Sequence, residues 1–392
     1  MTHNPLESIR ILEIGAYISA PYAGSLMAAL GAEVVKIEPL GGEAFRRGQG
    51  VDSHYFVQYN IGKKSVAVDL KSPQGVELIK SLLPRFDVVI QNMRPGKLEA
   101  LGLGDQVCRE INPRLIFASV SGFGSGGPLV QRPAYDTIGQ SYGGIYSMMN
   151  EPGSPRLTGT CMADLITGVS IGMGILAALI GRGTDKPGAL VETSLMEAIS
   201  LLTIDAMTQA HEQSISPTRE SRHPQAQNFC LNTAEGGALT LHLSSSEKFW
   251  ASLMRAVGLE QMLDDARFRR YSDRMQPENY AALLKILEGE FLKCSRTHWE
   301  SVLSTADVPF APVLSLTEVA QHPQTQWLEL IGQAPSGQTL ILPPWRFDGR
   351  RPARNHTAPH IGEHTQEILR EVCSEDQLQA LLASHVVAAA SA

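Results

Sequence analysis

At 392 residues, 43% of them hydrophobic and 19% charged, the chain has the balance of a globular protein and more length than one ordinary core fills, so a large and a smaller domain are expected. A formal net charge of -7 gives no electrostatic reason to expect nucleic acid or an anionic membrane as a partner, and an anionic ligand would need a local basic pocket. The cysteines (Cys108, Cys161, Cys230, Cys294 and Cys373) are scattered, odd in number and without CxxC spacing, which excludes a zinc or dithiol motif and fits a reducing cytoplasm.

The first eight residues, with Asn4, Pro5 and Glu7, lack the basic start and apolar run of a secretory leader. Residues 9–14 (IRILEI) suit a buried strand, Pro21 is placed to open the following helix, and Gly31 to end it. Residues 32–38 (AEVVKIE) make a second strand, so the chain opens with a strand–helix–strand unit whose crossover is right-handed. Strands at 65–70 (SVAVDL), 87–90 (DVVI) and 115–120 (LIFASV), with helices at 72–83 and near 96–101, continue the alternation. The expected fold class is α/β, a Rossmann-like large domain with a mainly parallel sheet and helices on both faces. The apolar stretch 168–181 falls short of the roughly 20 residues that span a bilayer and reads as a buried helix rich in small residues. Residues 190–192 add a strand, and Ser194 with Glu197 has capping-box spacing for the next helix.

These elements define a large domain over residues 1–210. Residues 211–227 are polar, carry Pro217 and Pro224, and read as a linker. A smaller α+β domain follows over 228–320, with an alternating strand at 239–243 (LTLHL) and amphipathic helices near 247–257, 277–293 and 298–304. Prolines crowd the chain beyond Val308 (Pro309, Pro312, Pro323, Pro335, Pro343, Pro344, Pro352, Pro359), so 321–392 reads as an extended strap with a last helix at 363–372.

Glu38 closes the second strand where a ribose-binding acid would lie, but the loop Gly15-Ala16-Tyr17-Ile18-Ser19-Ala20 has one glycine where GxGxxG needs three, which argues against a dinucleotide. Arg46, Arg47, Lys63, Lys64, Lys71, Arg94 and Lys97 recur at predicted strand ends and loops. Solvated surface charge explains most such residues, while their gathering at the loop edge of the sheet favours a phosphate-bearing nucleotide such as coenzyme A. Residues 122–128 (GFGSGGP) directly follow a strand and either form a plain turn or bring backbone N–H groups close to a ligand. Asp164, just before the small-residue helix, is either an N-cap or a carboxylate that the helix dipole keeps ionised and nucleophilic. His242, His298 and His364 have no partner at metal spacing, and no GxSxG elbow occurs, so metal and serine-hydrolase chemistry are not supported.

Together, residues 31–39 (GAEVVKIEP), 60–71 (NIGKKSVAVDLK), 92–102 (NMRPGKLEALG), 115–128 (LIFASVSGFGSGGP), 132–136 (RPAYD), 162–168 (MADLITG) and 361–369 (IGEHTQEIL) resemble, in order and nearly end to end, the class III CoA-transferases, relatives of α-methylacyl-CoA racemase. The resemblance implies transfer of coenzyme A from an acyl-CoA donor to a carboxylic acid acceptor, with CoA as substrate and no tightly bound cofactor or metal. It implies an interlocked homodimer, without nucleic-acid or membrane partners, whose C-terminal strap returns to the large domain. It places Asp164 as the nucleophile, passing through an aspartyl anhydride and an aspartyl-CoA thioester. Ile18, Ala20, Lys71, Asn92, Met93 and Arg94 fall at CoA-binding positions, with the basic Lys97 beside them, and Gly122, Gly124 and Gly126 fall near the thioester. Tyr135 occupies a substrate position where the racemase branch carries histidine. A phenol holds its proton too tightly to act as base near pH 7, which favours transfer over the alternative, racemisation or isomerisation at Cα on the same fold. The glycine-rich lid of formyl-CoA transferase has only Glu235-Gly236-Gly237 as a counterpart here.

Overall fold

The computed structural model describes residues 4–46, 53–151, 153–214, 216–219, 227–352 and 356–390; Arg47 and the linker's Pro224 lie outside them. The chain divides into two compact units, Met1–Ile204 with Gln326–Ala392, and Asp205–Thr325.

In the larger unit, β1 (Arg10–Ile14), β2 (Glu33–Glu38), β3 (Lys64–Val68), β4 (Val88–Gln91), β5 (Ile116–Ser121) and β6 (Leu190–Ser194) run parallel in the spatial order β3-β2-β1-β4-β5-β6. This is the order of a doubly wound nucleotide-binding sheet, with its switch point between β1 and β4. Both faces are covered. Leu12, Val35, Val89 and Phe117 pack on one side against Ile79 and Leu82 of the helix Pro73–Leu82 and against Ile368 and Leu378 near the C-terminus. Ile11, Val34, Ile90 and Ala118 pack on the other against Leu26 and Met27 of the helix Ser19–Ala29 and against Ile171 and Ile175. Strands buried on both faces read as continuous apolar runs, which is why most were visible as such.

Two of those runs nonetheless contain opposite charges. Glu13 of β1 lies across from Lys36 of β2 in the parallel register, and its carboxylate accepts from Lys36 Nζ at 2.9 Å and Lys63 Nζ at 2.6 Å, all three side chains being fully buried. Burial alone would raise Glu13's affinity for a proton, but the two ammonium groups outweigh it and hold the carboxyl below its ordinary range. Burial brings Lys63 down to about 8. Gly24 makes room for the cluster, since a Cβ there would sit 2.1 Å from Glu13 Oε2.

The helix carrying the small residues is longer than expected. It runs Met162–Arg182, 21 residues, and is long and apolar enough by length and composition to cross a membrane. Only one face is buried: Ala163, Thr167, Gly168, Ile171 and Ile175 turn inward, while Met173 and Ile180 are 67% and 82% exposed. Gly168 lets it approach the helix Ser19–Ala29 closely, because a Cβ there would come within 2.9 Å of the Ser19 carbonyl oxygen. Pro21 lies inside the first turn of Ser19–Ala29 rather than opening it.

The smaller unit holds β7 (Asn228–Asn232), β8 (Ala238–His242) and β9 (Phe310–Pro312) as an antiparallel sheet, β7-β8-β9. Helices Glu247–Ala256, Pro277–Phe291 and Arg296–Thr305 enclose a core that includes Trp250, Phe268, Leu287 and Trp299. Ser246 and Ser295 cap two of them by accepting from the N–H groups of Phe249 and His298. Glu235-Gly236-Gly237 forms the turn between β7 and β8, with both Glu235 and Gly236 at positive φ.

Beyond Thr325 the chain rejoins the larger unit. The hairpin Ile331–Gln333 with Thr339–Ile341 packs Leu340 against Val57 and Ile61. The helix expected last is Thr365–Leu369, and it is followed by another, Glu375–Ala383, and by the strand Val387–Ala388, which joins the main sheet antiparallel to β3. This ending escaped the sequence reading because a two-residue strand carries no period.

Candidate active site

In doubly wound sheets, ligands bind outside the carboxyl ends of the strands at the switch point. Here the loop after β1 and the loop after β4 meet there and open a cavity of about 870 Å³. Asn92 joins the two loops: its Oδ1 accepts the Ala16 N–H at 3.1 Å and its Nδ2 donates to the Ala16 carbonyl oxygen at 2.8 Å. The same Nδ2 donates to Ser19 Oγ at 3.2 Å. Tyr17 adopts φ +66°, an uncommon backbone for a bulky residue, and its N–H donates to the buried Glu43 carboxyl. Burial first, and the charges of Glu38 and Glu13, raise Glu43's proton affinity against the pull of Lys36 and of the Tyr17 N–H.

Eight of the residues expected at the catalytic, CoA and substrate positions line this one cavity: Lys71, Asn92, Met93, Arg94, Lys97, Gly122, Tyr135 and Asp164. Lys71, Arg94 and Lys97 stand exposed on its wall. Ile18 and Ala20 are buried in the interior and do not line it, whereas their neighbours Ala16, Tyr17 and Ser19 do. Gly122 packs on Ala134, where a Cβ would come to 2.4 Å. Gly124 and Gly126 lie beyond the wall, and the Gly124 N–H donates to Ser121 Oγ rather than pointing toward a ligand.

The other basic residues serve the framework. Arg46 is buried and forks onto Glu38 at 2.7 and 2.8 Å, while Ser65 Oγ and the Glu43 N–H also donate to Glu38. With its oxygens so occupied, Glu38 is not the ribose acid its position suggested. Lys63 belongs to the Glu13 cluster, and Lys64 bridges Glu33 and Glu367 on a partly exposed edge.

Asp164 lies in the first turn of Met162–Arg182, three residues after the N-cap position, which Cys161 holds. It is therefore not the N-cap. Burial first, then the charge of Asp136, push its carboxyl up to about 7, with hydrogen bonding to the Ser19 hydroxyl pulling the other way. Against the helix dipole, which favours the ionised form, burial leaves protonated and ionised forms coexisting near neutral pH. Asp136 itself went unnoticed as a site residue, although it ends the RPAYD segment beside Tyr135. Tyr135 is exposed and meets Tyr17 edge-on, ring centroids 5.6 Å apart.

The cavity at the switch point of this doubly wound α/β sheet thus brings the exposed cations Lys71, Arg94 and Lys97 together with the Asp164 carboxyl. The family model for "CoA-transferase family III" matches residues 6–365. The succinyl-CoA:glutarate CoA-transferase of Mus musculus is 29% identical over 98% of this chain and 90% of its own length. The acetyl-CoA:oxalate CoA-transferase of Acetobacter aceti is 33% identical over 82% of this chain and 84% of its own. A crystal structure of a CaiB/BaiF family protein from Brucella suis superimposes with a TM-score of 0.81 at 28% identity, covering 95% of this chain and all of that one. The chain belongs to CoA-transferase family III, and is an enzyme that transfers CoA between an acyl-CoA and a carboxylate.

Proposed function

We propose that transfer proceeds through covalent intermediates on Asp164. The observation that carries this reading is that Asp164 shares one cavity with the exposed cations Lys71, Arg94 and Lys97, which suit the phosphates of CoA. An ionised Asp164 oxygen attacks the thioester carbonyl; a C–O bond forms, the C–S bond breaks, and CoA leaves as thiolate. The thiolate attacks the aspartyl carbonyl of the resulting anhydride, expels the donor acid as carboxylate, and leaves an aspartyl-CoA thioester. The acceptor carboxylate then reverses both steps. One thioester is exchanged for another, so CoA acts as a substrate and no ATP or resident cofactor is needed.

Relatives are named for succinyl-CoA with glutarate, acetyl-CoA with oxalate and formyl-CoA with oxalate. A mass-spectrometric screen of these three donors against both acids, widened to other carboxylates, assigns the pair used here. Asp164→Asn should fold and bind CoA yet lose transfer by about three orders of magnitude or more, because a covalent route is removed rather than one contact. Wild type turning over in hydroxylamine should carry a hydroxamate at Asp164. An active Asn variant together with an unlabelled Asp164 peptide excludes the covalent route. Tyr135→Phe should keep most transfer activity, and wild type should exchange little Cα hydrogen with deuterated solvent; rapid exchange that is lost in the Phe variant points to racemisation instead.

We further propose that the protein works as a homodimer in the cytoplasm. The outward apolar face of Met162–Arg182, with Met173 and Ile180, and the exposed Leu201, Leu202 and Ile204 support a second copy as the surface that covers them.

A further inference from the structure

A helix begins with four N–H groups that have no intrahelical acceptor, and a side chain at the N-cap normally takes one or two of them. The helix carrying Asp164 has Cys161 there, and its side chain caps nothing. The acceptor comes from another helix, Asp136–Tyr142. Asp136 Oδ1 accepts from the Ala163 N–H at 2.9 Å and the Asp164 N–H at 3.2 Å. Asp136 is buried, and its Oδ2 accepts from Gln140 Nε2. Gln140, fully buried, donates also to the Thr160 carbonyl oxygen at 3.0 Å and accepts from Thr158 Oγ1 at 2.7 Å, so both ends of its amide are engaged. A buried network satisfied this completely is rigid.

We propose that Asp136, braced by Gln140, is a positioning residue for CoA transfer: it holds the first turn of the catalytic helix from outside and releases Asp164 from capping its own helix. The proposal rests on the reading of Asp164 as nucleophile. Its second consequence is electrostatic. The groups facing Asp164 are Asp136, Cys161 at the helix start, Tyr59 from the helix His54–Asn60, and Ser19 from Ser19–Ala29. Burial raises the Cys161 thiol and takes the Tyr59 phenol up to about 12, so both are neutral near pH 7. Among these neighbours, the charge that strengthens Asp164 as a base is that of Asp136. A more basic carboxylate, once ionised, is the stronger nucleophile toward a thioester.

Two variants of the full-length protein separate the roles. Asp136→Asn keeps an acceptor oxygen for the two N–H groups but drops the charge and, at the other end of its amide, the acceptor for Gln140 Nε2; Asp136→Ala drops all three. Isotope-edited infrared spectra of the aspartate carboxyl band, with Asp164 assigned by its loss in Asp164→Asn, follow its titration, and amide hydrogen exchange follows Ala163 and Asp164. In Asp136→Asn the Asp164 midpoint should move about one pH unit or more toward acid, with amide protection retained. In Asp136→Ala the two amides should exchange about tenfold faster or more. An unmoved midpoint in the Asn variant, or unchanged protection in a folded Ala variant, overturns the proposal; should the Ala variant not fold, the Asn titration decides alone. Neither readout depends on turnover, so a wrong assignment of the nucleophile shows up separately, in the hydroxylamine labelling.

Discussion

The raised carboxyl of Asp164 carries a cost to the fold. Its carboxyl holds a proton up to about 7 in the folded chain, well above the carboxylate range of an unfolded one. The folded state therefore binds more protons between about pH 4 and pH 7, and stability falls as pH rises through that window. Asn has no proton to lose. Asp164→Asn should match wild type near pH 4 to 5 and exceed it by about 2 kcal/mol at pH 8, a figure discounted for partial exposure. Melting curves at pH 5 and pH 8 check this, and a Tm difference that does not grow with pH counts against the raised carboxyl. Arg94→Ala should weaken CoA binding by about 1.5–3 kcal/mol, with binding of wild type declining as salt rises; calorimetry that finds CoA affinity unchanged removes Arg94 from the site. At this scale the motifs drew attention to Asp164 and Arg94, and the structure puts both on the one cavity. The sequence was silent on Asp136, because that residue acts through N–H groups 27 and 28 positions further along the chain. Ile18 and Ala20, which the resemblance put at CoA-binding positions, have side chains buried in the core, while Ala16, Tyr17 and Ser19 line the cavity.

The secondary elements were legible for a physical reason: β1 to β5 are buried on both faces, and each is followed by a turn or bend. What the pattern hid is the charge inside it. Glu13 and Lys36 look like polar interruptions of two apolar runs, and only the parallel register brings them together, with Lys63 arriving from just before β3. Two buried ammonium groups depend on one carboxylate, so Glu13→Gln should cost about 3–5 kcal/mol, more than a typical point mutation. Urea denaturation measures it, and a loss below about 1 kcal/mol shows that the lysines are solvated or neutral. The short terminal strand and the helices around Tyr135 escaped notice because they are too brief to show a period, whereas the length of Met162–Arg182 was underestimated because Asp164 and Thr167 interrupt its apolar run.

At the scale of the molecule, the outward face of Met162–Arg182 sets the expectation for assembly: sedimentation at micromolar concentration should find a dimer, and a folded, active monomer refutes it. The way the chain is routed has a consequence of a different kind. Asp205–Thr325 is continuous in sequence, while the sheet of the larger unit is completed only by Val387–Ala388, whose residues pair with Val68 and Ala67. During synthesis on the ribosome the smaller unit has emerged in full while the edge of β3 still waits for its partner, and Ile368, Leu369 and Leu378 of the larger core have yet to be made. Domains commonly acquire structure from the N-terminus onward as they emerge; here the middle of the chain should become protease-resistant first and the beginning last. Stalled nascent chains ending near residue 360 should yield a resistant fragment from the middle alone, and early resistance of the first 200 residues would show that the sheet closes without its final strand.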